Sequence, residues 1–396
     1  MFRVAPPRAP SRVRATVSAV GSALTTPLLP EDFAGLINPL WSSTALRGRV
    51  VEVRPETDRA VTLRIRPGRG WRGHRAGQYV GIGVDVDGVR HWRTYSLTSP
   101  ESAAERSASG TSIGTERSAS GTSIRTERSA SGTSIRTDGC ISVTVQELPG
   151  GVVSPHLVHA TPVGTIVHLE NADGDFMLPD PVPSRLLMVT AGSGITPVIA
   201  MLRTLAARGP LPDLVLLHSA PSAAAMIFRD ELRGLAEEHP SMRLTPRHTR
   251  TEGRLNLAEL DTLCPDWRDR EAFVCGPAGL LDAAREHWAA LPDRLRVERF
   301  TPPARTGGGC GGEVSYGAAR TLPVDGETSL LEAGEAAGVL LPSGCRMGIC
   351  FGCVLRLRDG QVRDLRTGEV HGEPGDLVQT CINGASGAAR LDIPTT

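Results

Sequence analysis

Hydrophobic and polar positions along this chain change their period, and the change divides it. Residues 46–53 and 60–66 alternate, with Thr62, Arg64 and Arg66 set between Val61, Leu63 and Ile65. A period of two predicts half-buried strands. Asp87-Gly88 separates 81–86 from 89–95 and predicts a hairpin turn. Ile141, Val143 and Val145 alternate again, ahead of 165–169. Several short antiparallel strands at this spacing predict a small barrel.

From Arg185 the pattern becomes continuous apolar runs separated by helical periods. The run 186–190 ends in Ala191-Gly-Ser-Gly-Ile-Thr-Pro197. A helix should follow, with Thr196 as N-cap and Pro197 in its first turn. Val198, Met201, Leu202 and Leu205 share one of its faces. Strands expected at 213–218, 242–249, 271–275 and 295–300 alternate with helices at 227–238, 257–263 and 280–290. That order predicts a parallel sheet with helices on both faces. Residues 301–312, with Pro302, Pro303 and five glycines, predict a linker. Beyond it, β-rich segments surround a helix at 329–337. The expected division is an arm over 1–44, a barrel over 45–183, an α/β domain over 184–301, a linker over 302–312 and a last domain over 313–396.

Three successive eleven-residue units, 105–115, 116–126 and 127–137, repeat ERSASGTSI plus two residues. An eleven-residue period can mark a right-handed coiled coil. Each unit holds a single aliphatic larger than alanine, too little apolar surface to offset ordering entropy. The repeat is expected to be a flexible insertion in a surface loop, where added length is tolerated. Residues 1–30 are rich in arginine and proline and contain no acid. A transit peptide shares that bias; so does a disordered arm in a protein whose bases are all arginine, which is the reading adopted. With 43 bases against 43 acids, no global field favours nucleic acid or an anionic membrane. No apolar run of about 18 residues exists to span a bilayer. The product is expected to be cytoplasmic and monomeric.

Chemistry enters with Cys345, Cys350, Cys353 and Cys381. The first three read C-x4-C-x2-C and the fourth follows after 27 residues, the plant-type ligand pattern of a 2Fe–2S cluster. Gly344, Gly348 and Gly352 let the loop backbone approach the sulfurs. A zinc ribbon also uses four cysteines, but usually as two paired knuckles, whereas Cys381 stands alone. A disulfide framework would add little to a chain of this size. Cys140, Cys264, Cys275 and Cys310 are scattered.

Four further pieces precede the cysteines. Arg93-Thr94-Tyr95-Ser96 ends a barrel strand, offering a cation, a planar ring and a hydroxyl. Gly150-Gly151-Val152-Val153-Ser154 leads into a helix that Ser154 is expected to cap. Gly192-Ser193-Gly194-Ile195-Thr196-Pro197 follows a buried strand, although Pro197 stands where a dinucleotide fingerprint has its third glycine. Cys275-Gly276-Pro277 closes a later strand, at the edge where such sheets bind ligands.

In this order, and followed by the cysteine loop, the motifs resemble the ferredoxin–NADP reductase superfamily, in the variant with a C-terminal plant-type ferredoxin domain. The resemblance implies a multidomain chain: an antiparallel β-barrel for FAD, a doubly wound α/β nucleotide domain and an α+β, ubiquitin-like (β-grasp) ferredoxin domain. It implies that Arg93, Thr94, Tyr95, Ser96, Gly151, Val152, Val153 and Ser154 hold FAD, with Ser96 near flavin N5. It places Gly192, Gly194, Thr196, Cys275, Gly276 and Pro277 on the nicotinamide dinucleotide, Phe300 beside the flavin, and the cluster on the four cysteines. Ser96 and Cys275 would shape the hydride site. Many relatives carry an arginine where this chain has Pro221. Ser219, Arg247 and Arg250 could supply phosphate contacts instead, and no acid ends that strand to take a ribose 2′-hydroxyl, which favours NADPH over NADH.

More narrowly, Ile37-Asn-Pro-Leu-Trp41 and Pro342-Ser-Gly-Cys-Arg-Met-Gly-Ile-Cys350 resemble bacterial reductases that serve membrane fatty acyl desaturases. The implied activity takes NAD(P)H electrons through FAD to the cluster and on to a protein acceptor, with the chain peripheral to the membrane through that partner. An aromatic-ring dioxygenase or a haem monooxygenase is the alternative acceptor. A non-catalytic flavin and cluster redox sensor is a reading of another class, and it has no use for a hydride site.

Overall fold

A computed structural model describes residues 37–42, 45–86, 88–101, 139–300, 306–318, 320–344, 346, 348 and 351–393. Residues 1–36 of the expected arm and the whole repeat at 105–137 lie outside the described residues.

The first sheet contains β1 (Arg47–Thr57), β2 (Ala60–Pro67), β3 (Tyr79–Val86), β4 (Val89–Ser96), β5 (Ile141–Gln146) and β6 (Ile166–Leu169) in the order β4-β3-β6-β1-β2-β5. An antiparallel bridge between Leu97 and Val143 joins its two ends, and the Thr98 N–H donates to the Ser142 carbonyl at 2.8 Å. The two end strands therefore meet at this seam and the sheet curls into a barrel. Its interior is filled by the predicted alternation: Leu63, Ile65, Ile82, Val143 and Val145 are all fully buried. Helix α1 (Val153–His159) packs against β3, β4 and β5.

The second sheet is parallel, with β7 (Arg185–Ala191), β8 (Asp213–Ala220), β9 (Met242–His248), β10 (Glu271–Cys275) and β11 (Leu295–Glu298) ordered β11-β10-β7-β8-β9. Continuous apolar strands are what a sheet covered on both faces needs. Along β7, Leu186 and Met188 face one core while Leu187 and Val189 face the other. The first core takes in α2 (Ile195–Arg208) and α3 (Arg229–Glu238). The second takes in α5 (Leu260–Leu263) and α6 (Ala278–His287). A short α4 (Thr249–Glu252) follows β9.

Two expected caps are corrected. Helix α2 starts from Gly194 with no side-chain cap, because the 3-10 turn Gly192–Gly194 winds straight into it. Thr196 instead turns its hydroxyl back to the Ser193 carbonyl at 2.8 Å. Ser154 lies inside α1, and its Oγ accepts from the Leu148 N–H at 3.0 Å, bracing the glycine turn rather than capping the helix.

Barrel and α/β domain meet along α2. Arg203 holds Glu231 with two bonds of 2.6 and 2.7 Å and also donates to the Thr98 carbonyl just past β4. Arg208 reaches Glu101 at 3.0 Å. Phe176, on the segment leaving the barrel, meets Phe273 of β10 edge-on at 5.4 Å.

The third sheet has β12 (Gly312–Tyr316), β13 (Arg320–Val324), β14 (Val354–Asp364), β15 (Val370–His371), β16 (Leu377–Gln379) and β17 (Asn383–Asp392). Its order is β13-β12-β17-β14-β15, with β16 also on β14 and β12 parallel to β17. Helix α7 (Leu330–Ala336) lies on it, started by a capping box between Ser329 and Glu332. The Tyr316 hydroxyl donates to the Leu330 carbonyl at 2.6 Å and ties helix to sheet.

Candidate functional site

The parallel sheet positions the first half of the site. Its central strand β7 has β10 on one side and β8 on the other, and the carboxyl ends of all three open on one cavity of about 830 Å³. Ligands of open α/β sheets bind at that edge. Gly192 and Gly194 and Gly276 and Pro277 line it, and so does Phe300, which the sequence resemblance set beside the flavin. The glycines are required by space. A Cβ on Gly194 would lie 2.1 Å from the Cys275 carbonyl oxygen, and one on Gly276 would crowd Leu280 and Ala191 at 3.1 and 3.2 Å. Gly192 holds φ +56°, a left-handed conformation that costs a residue with a Cβ more than glycine. Gln146, the last residue of barrel strand β5, stands on the same wall, so the cavity is shared between the two domains.

At its margin three side chains converge. Parallel pairing of β10 with β11 sets Cys275 opposite Glu298, with Cys275 Sγ 3.9 Å from Glu298 Oε2. Burial pushes the Cys275 thiol well above its ordinary range, and the Glu298 carboxyl adds to that. Burial likewise pushes Glu298 up to about 8, offset in part by nearby Ser96 and Cys275. Ser96, at the end of β4, is 5% exposed and lies beside the Glu298 carboxyl; among the described residues its Oγ has no partner in full hydrogen-bond geometry. Glu298 escaped sequence reasoning, which singled out only Phe300 in Glu298-Arg-Phe300. Nothing local marks it: its place depends on the register of two strands 23 residues apart.

The remaining barrel residues surround Ser96. Arg93 is half-buried and donates to its neighbour's carbonyl, Trp92, at 2.7 Å. Burial lowers its pKa, and the neighbouring Arg346 of the third domain lowers it further. Arg346 is itself clamped on Glu335, within the third domain, at 2.7 and 2.9 Å. Tyr95 packs on the barrel core, and desolvation raises its phenol pKa. Val153 is buried while Val152 is 49% exposed. Residues 151–154 lie at the start of α1, apart from the cavity lined by Gly192 and Gly276. Thr196 is buried in α2 and does not line that cavity.

In the third domain Cys345 and Cys350 lie outside the described residues. Cys353 and Cys381 are brought together by β14 and β16: Val354 pairs with Gln379, and both the amide and the hydroxyl of Thr380 donate to the Cys353 carbonyl. The two thiols are 2% and 7% exposed and share a small core with Leu331 and Ile382. Gly348 takes φ +75°, and a Cβ there would meet Ile382 at 2.7 Å.

Comparison with known proteins agrees with this geometry. Residues 188–286 match the oxidoreductase NAD-binding domain and residues 315–382 the 2Fe-2S iron-sulfur cluster binding domain. An NADPH oxidoreductase of Mycobacterium tuberculosis is 46% identical over 378 residues, 94% of this chain and 91% of the relative. This chain belongs to the ferredoxin–NADP reductase-type oxidoreductases with a C-terminal 2Fe–2S domain. The reductase is also 28% identical to a stachydrine N-demethylase reductase subunit of Rhizobium meliloti, over 81% of this chain and 88% of that one. Its fold matches phthalate dioxygenase reductase with a TM-score of 0.58 at 20% identity, covering 88% and 97% of the two chains.

The reductase takes FAD, a 2Fe–2S cluster and NAD(P)H, and passes electrons from NAD(P)H to the cluster. Its residues fit those groups. The buried Ser96 Oγ, without a partner in full hydrogen-bond geometry among the described residues, suits a polar atom such as a flavin ring nitrogen. The glycine-walled cavity of about 830 Å³ is large enough for a dinucleotide, and two buried thiols in one small core are the chemistry an iron–sulfur centre needs. Among the described residues no helix is long and apolar enough to cross a membrane.

Proposed function

We propose that the reductase oxidises NAD(P)H where Ser96, Cys275 and Glu298 meet and delivers single electrons from its cluster to a separate protein. The convergence of a barrel hydroxyl with a thiol and a carboxyl from the sheet, at the rim of a dinucleotide-sized cavity, carries this reading. When bound, FAD supplies the exchange between hydride and single electrons that neither nicotinamide nor cluster can make alone.

The chain's own contribution is positioning and charge. Burial favours the protonated form of Glu298, which would place no anion where negative charge must accumulate. Burial keeps Cys275 as a thiol against it, and Ser96 offers a hydroxyl from the opposite domain. Gly194 and Gly276 keep side-chain atoms out of the reacting space. Arg93, Thr94, Tyr95 and residues 151–154 are assigned to FAD, with Arg93 as the cation for its pyrophosphate. Gly192, Gly194, Cys275, Gly276 and Pro277 are assigned to the nicotinamide dinucleotide, Phe300 to the flavin side of the same cavity, and Thr196 acts by bracing the turn at Ser193. Cys345, Cys350, Cys353 and Cys381 are assigned to the cluster. On this reading residues 45–183 serve FAD, 184–301 the nucleotide and 313–396 the cluster, in a cytoplasmic monomer.

The acceptor we favour is a membrane-bound fatty acyl desaturase, with the reductase peripheral to the membrane through it. The segments at 37–41 and 342–350 support this. An oxygenase component is the second reading, favoured by relatives named as reductase subunits of demethylase and monooxygenase systems. Anaerobic titration of the full-length protein with NADPH or NADH, read by absorbance and then by electron paramagnetic resonance, tests the relay. Flavin bands should bleach, and a reduced-cluster signal should follow. Cys353→Ser should keep the bleaching and lose both that signal and transfer to cytochrome c. A colourless protein that binds only zinc would overturn the assignment. Turnover with desaturase-bearing membranes against a purified oxygenase component then identifies the acceptor.

A further inference from the structure

Positive charge is concentrated at one corner of the barrel, although the whole chain is neutral. Residues 37–51 and 59–84 hold eight arginines and no aspartate or glutamate. Backbone contacts gather these two stretches. Pairing of β1 with β2 sets Gly48 opposite Pro67. The Gly68 N–H donates to the Arg47 carbonyl at 2.7 Å, and the Arg69 N–H donates to the Leu40 carbonyl at 3.0 Å. The segment before β1, the start of β1 and the loop after β2 therefore form one surface.

On that surface Arg49, Arg69 and Arg72 are exposed and Arg47 is half-buried. Among the described residues none of these four guanidinium groups has a hydrogen bond or ion pair. Acids on neighbouring segments are turned to other partners: Glu52 faces Arg64 at 3.5 Å, and Asp173 accepts from the Tyr79 hydroxyl at 3.5 Å. The same corner carries large apolar side chains. Ile37 is 78% exposed and Trp41 41%, and the Arg69 guanidinium lies over the Trp41 ring at 5.3 Å.

Uncommitted arginines beside exposed tryptophan and isoleucine set two requirements on an occupant. It must be anionic, and it must take up apolar surface. An acidic protein surface meets the first. The headgroup layer of a membrane meets both: arginine and tryptophan rest there with apolar parts inward and polar ends at the headgroups, and anionic lipids attract each nearby cation. The chain also reaches this corner from a stretch whose first 30 residues contain arginines and no acid, so the adjoining sequence has the same sign. No described helix is long and apolar enough to cross a bilayer, which makes the contact an interfacial one. We propose that this corner, through Arg47, Arg49, Arg69 and Arg72 with Trp41 and Ile37, docks the reductase directly on an anionic phospholipid surface. The contact is the chain's own and does not require the electron acceptor. It shares no residue with the cavity at the end of the parallel sheet, so it can be altered without touching the hydride site.

Vesicle sedimentation of the full-length, FAD-loaded protein tests the proposal. One set of vesicles is phosphatidylcholine alone; the other holds about one part in three phosphatidylglycerol. Wild type should bind the anionic vesicles, leave the neutral ones, and come off as salt is raised to about 0.5 M. Glutamine at all four arginines should weaken binding roughly 10- to 100-fold. Arg49→Gln with Arg72→Gln, two exposed positions that the fold does not use, should give a smaller loss in the same direction. Trp41→Ala should weaken binding several-fold and keep its salt dependence. Flavin reduction by NADPH without vesicles should be the same in every variant, which shows that each is folded. A wild type that binds neither vesicle, or both equally, would overturn the proposal. So would full binding by the fourfold and double variants, which would move the lipid contact to another part of the chain. Soluble poly-L-glutamate stands in for an acidic protein. Capture by it that is lost with the arginines, together with vesicle binding unmoved by Trp41→Ala, would make the corner a seat for an acidic protein and overturn the lipid assignment.

Discussion

Replacing Glu298 with glutamine isolates the most perturbed carboxyl of the site. Its pKa rises to about 8 because burial penalises the anion, against 4.5 for an ordinary glutamate. An acid whose folded pKa lies above its unfolded value binds more protons in the folded state. Its contribution to stability is therefore complete below about pH 4.5 and is lost as pH rises through 8. Within that window each pH unit removes up to about 1.4 kcal/mol, an upper limit near 4 kcal/mol between pH 5 and 8. Because the residue is only half-buried, solvent screening should reduce this to about 1–2 kcal/mol. Glutamine keeps the shape and the neutrality but cannot ionise. The assay is urea unfolding of wild type and Glu298→Gln, both loaded with FAD, at pH 5.5, 7 and 8.5. Wild type should lose stability relative to the variant on going to pH 8.5. The rate of flavin reduction by NADPH should show the matching decline in wild type and none in the variant. A stability difference independent of pH would show that the carboxyl ionises as it does in water, and the reasoning about its proton would fall.

Other perturbations follow from distances already given. Gly194→Ala places a Cβ against the Cys275 carbonyl, backbone that cannot swing aside; it should cost about 1–3 kcal/mol and weaken nucleotide binding, read by thermal melts with and without NADP. Arg203→Ala frees both Glu231 and the Thr98 carbonyl. It should cost about 1–3 kcal/mol and increase hydrogen exchange at Thr98 and along α2, leaving the third sheet unchanged.

The sequence made the layers legible because each relies on local periodicity. Alternation at Val61, Leu63 and Ile65 marks a barrel strand whose two faces see different media. The unbroken run at 186–190 marks a strand covered on both faces, and the structure assigns Leu186 and Leu187 to opposite cores. The chemistry was legible where it is carried by spacing, as in the glycines at 192 and 194. It was not legible where strand register or side-chain competition decides. Glu298 gains its role only opposite Cys275. Arg247, a reasonable phosphate ligand from its position after a strand, is captured by Glu259. Thr196 and Ser154 have the right chemistry for caps, but a 3-10 turn and a glycine turn set the helix starts elsewhere. The helix expected at 227–238 begins instead at Arg229, because Phe228 takes a left-handed φ of +59°.

Closure of the barrel between Leu97 and Val143 also bears on how this gene can change. The tandem units at 105–137 enter the chain after that seam has been made on one side and before it is made on the other. The paired positions of the seam, Leu97 and Val143, and Ser96 all lie outside those units. A variant of this chain carrying one unit, or five, is therefore expected to keep the same redox behaviour.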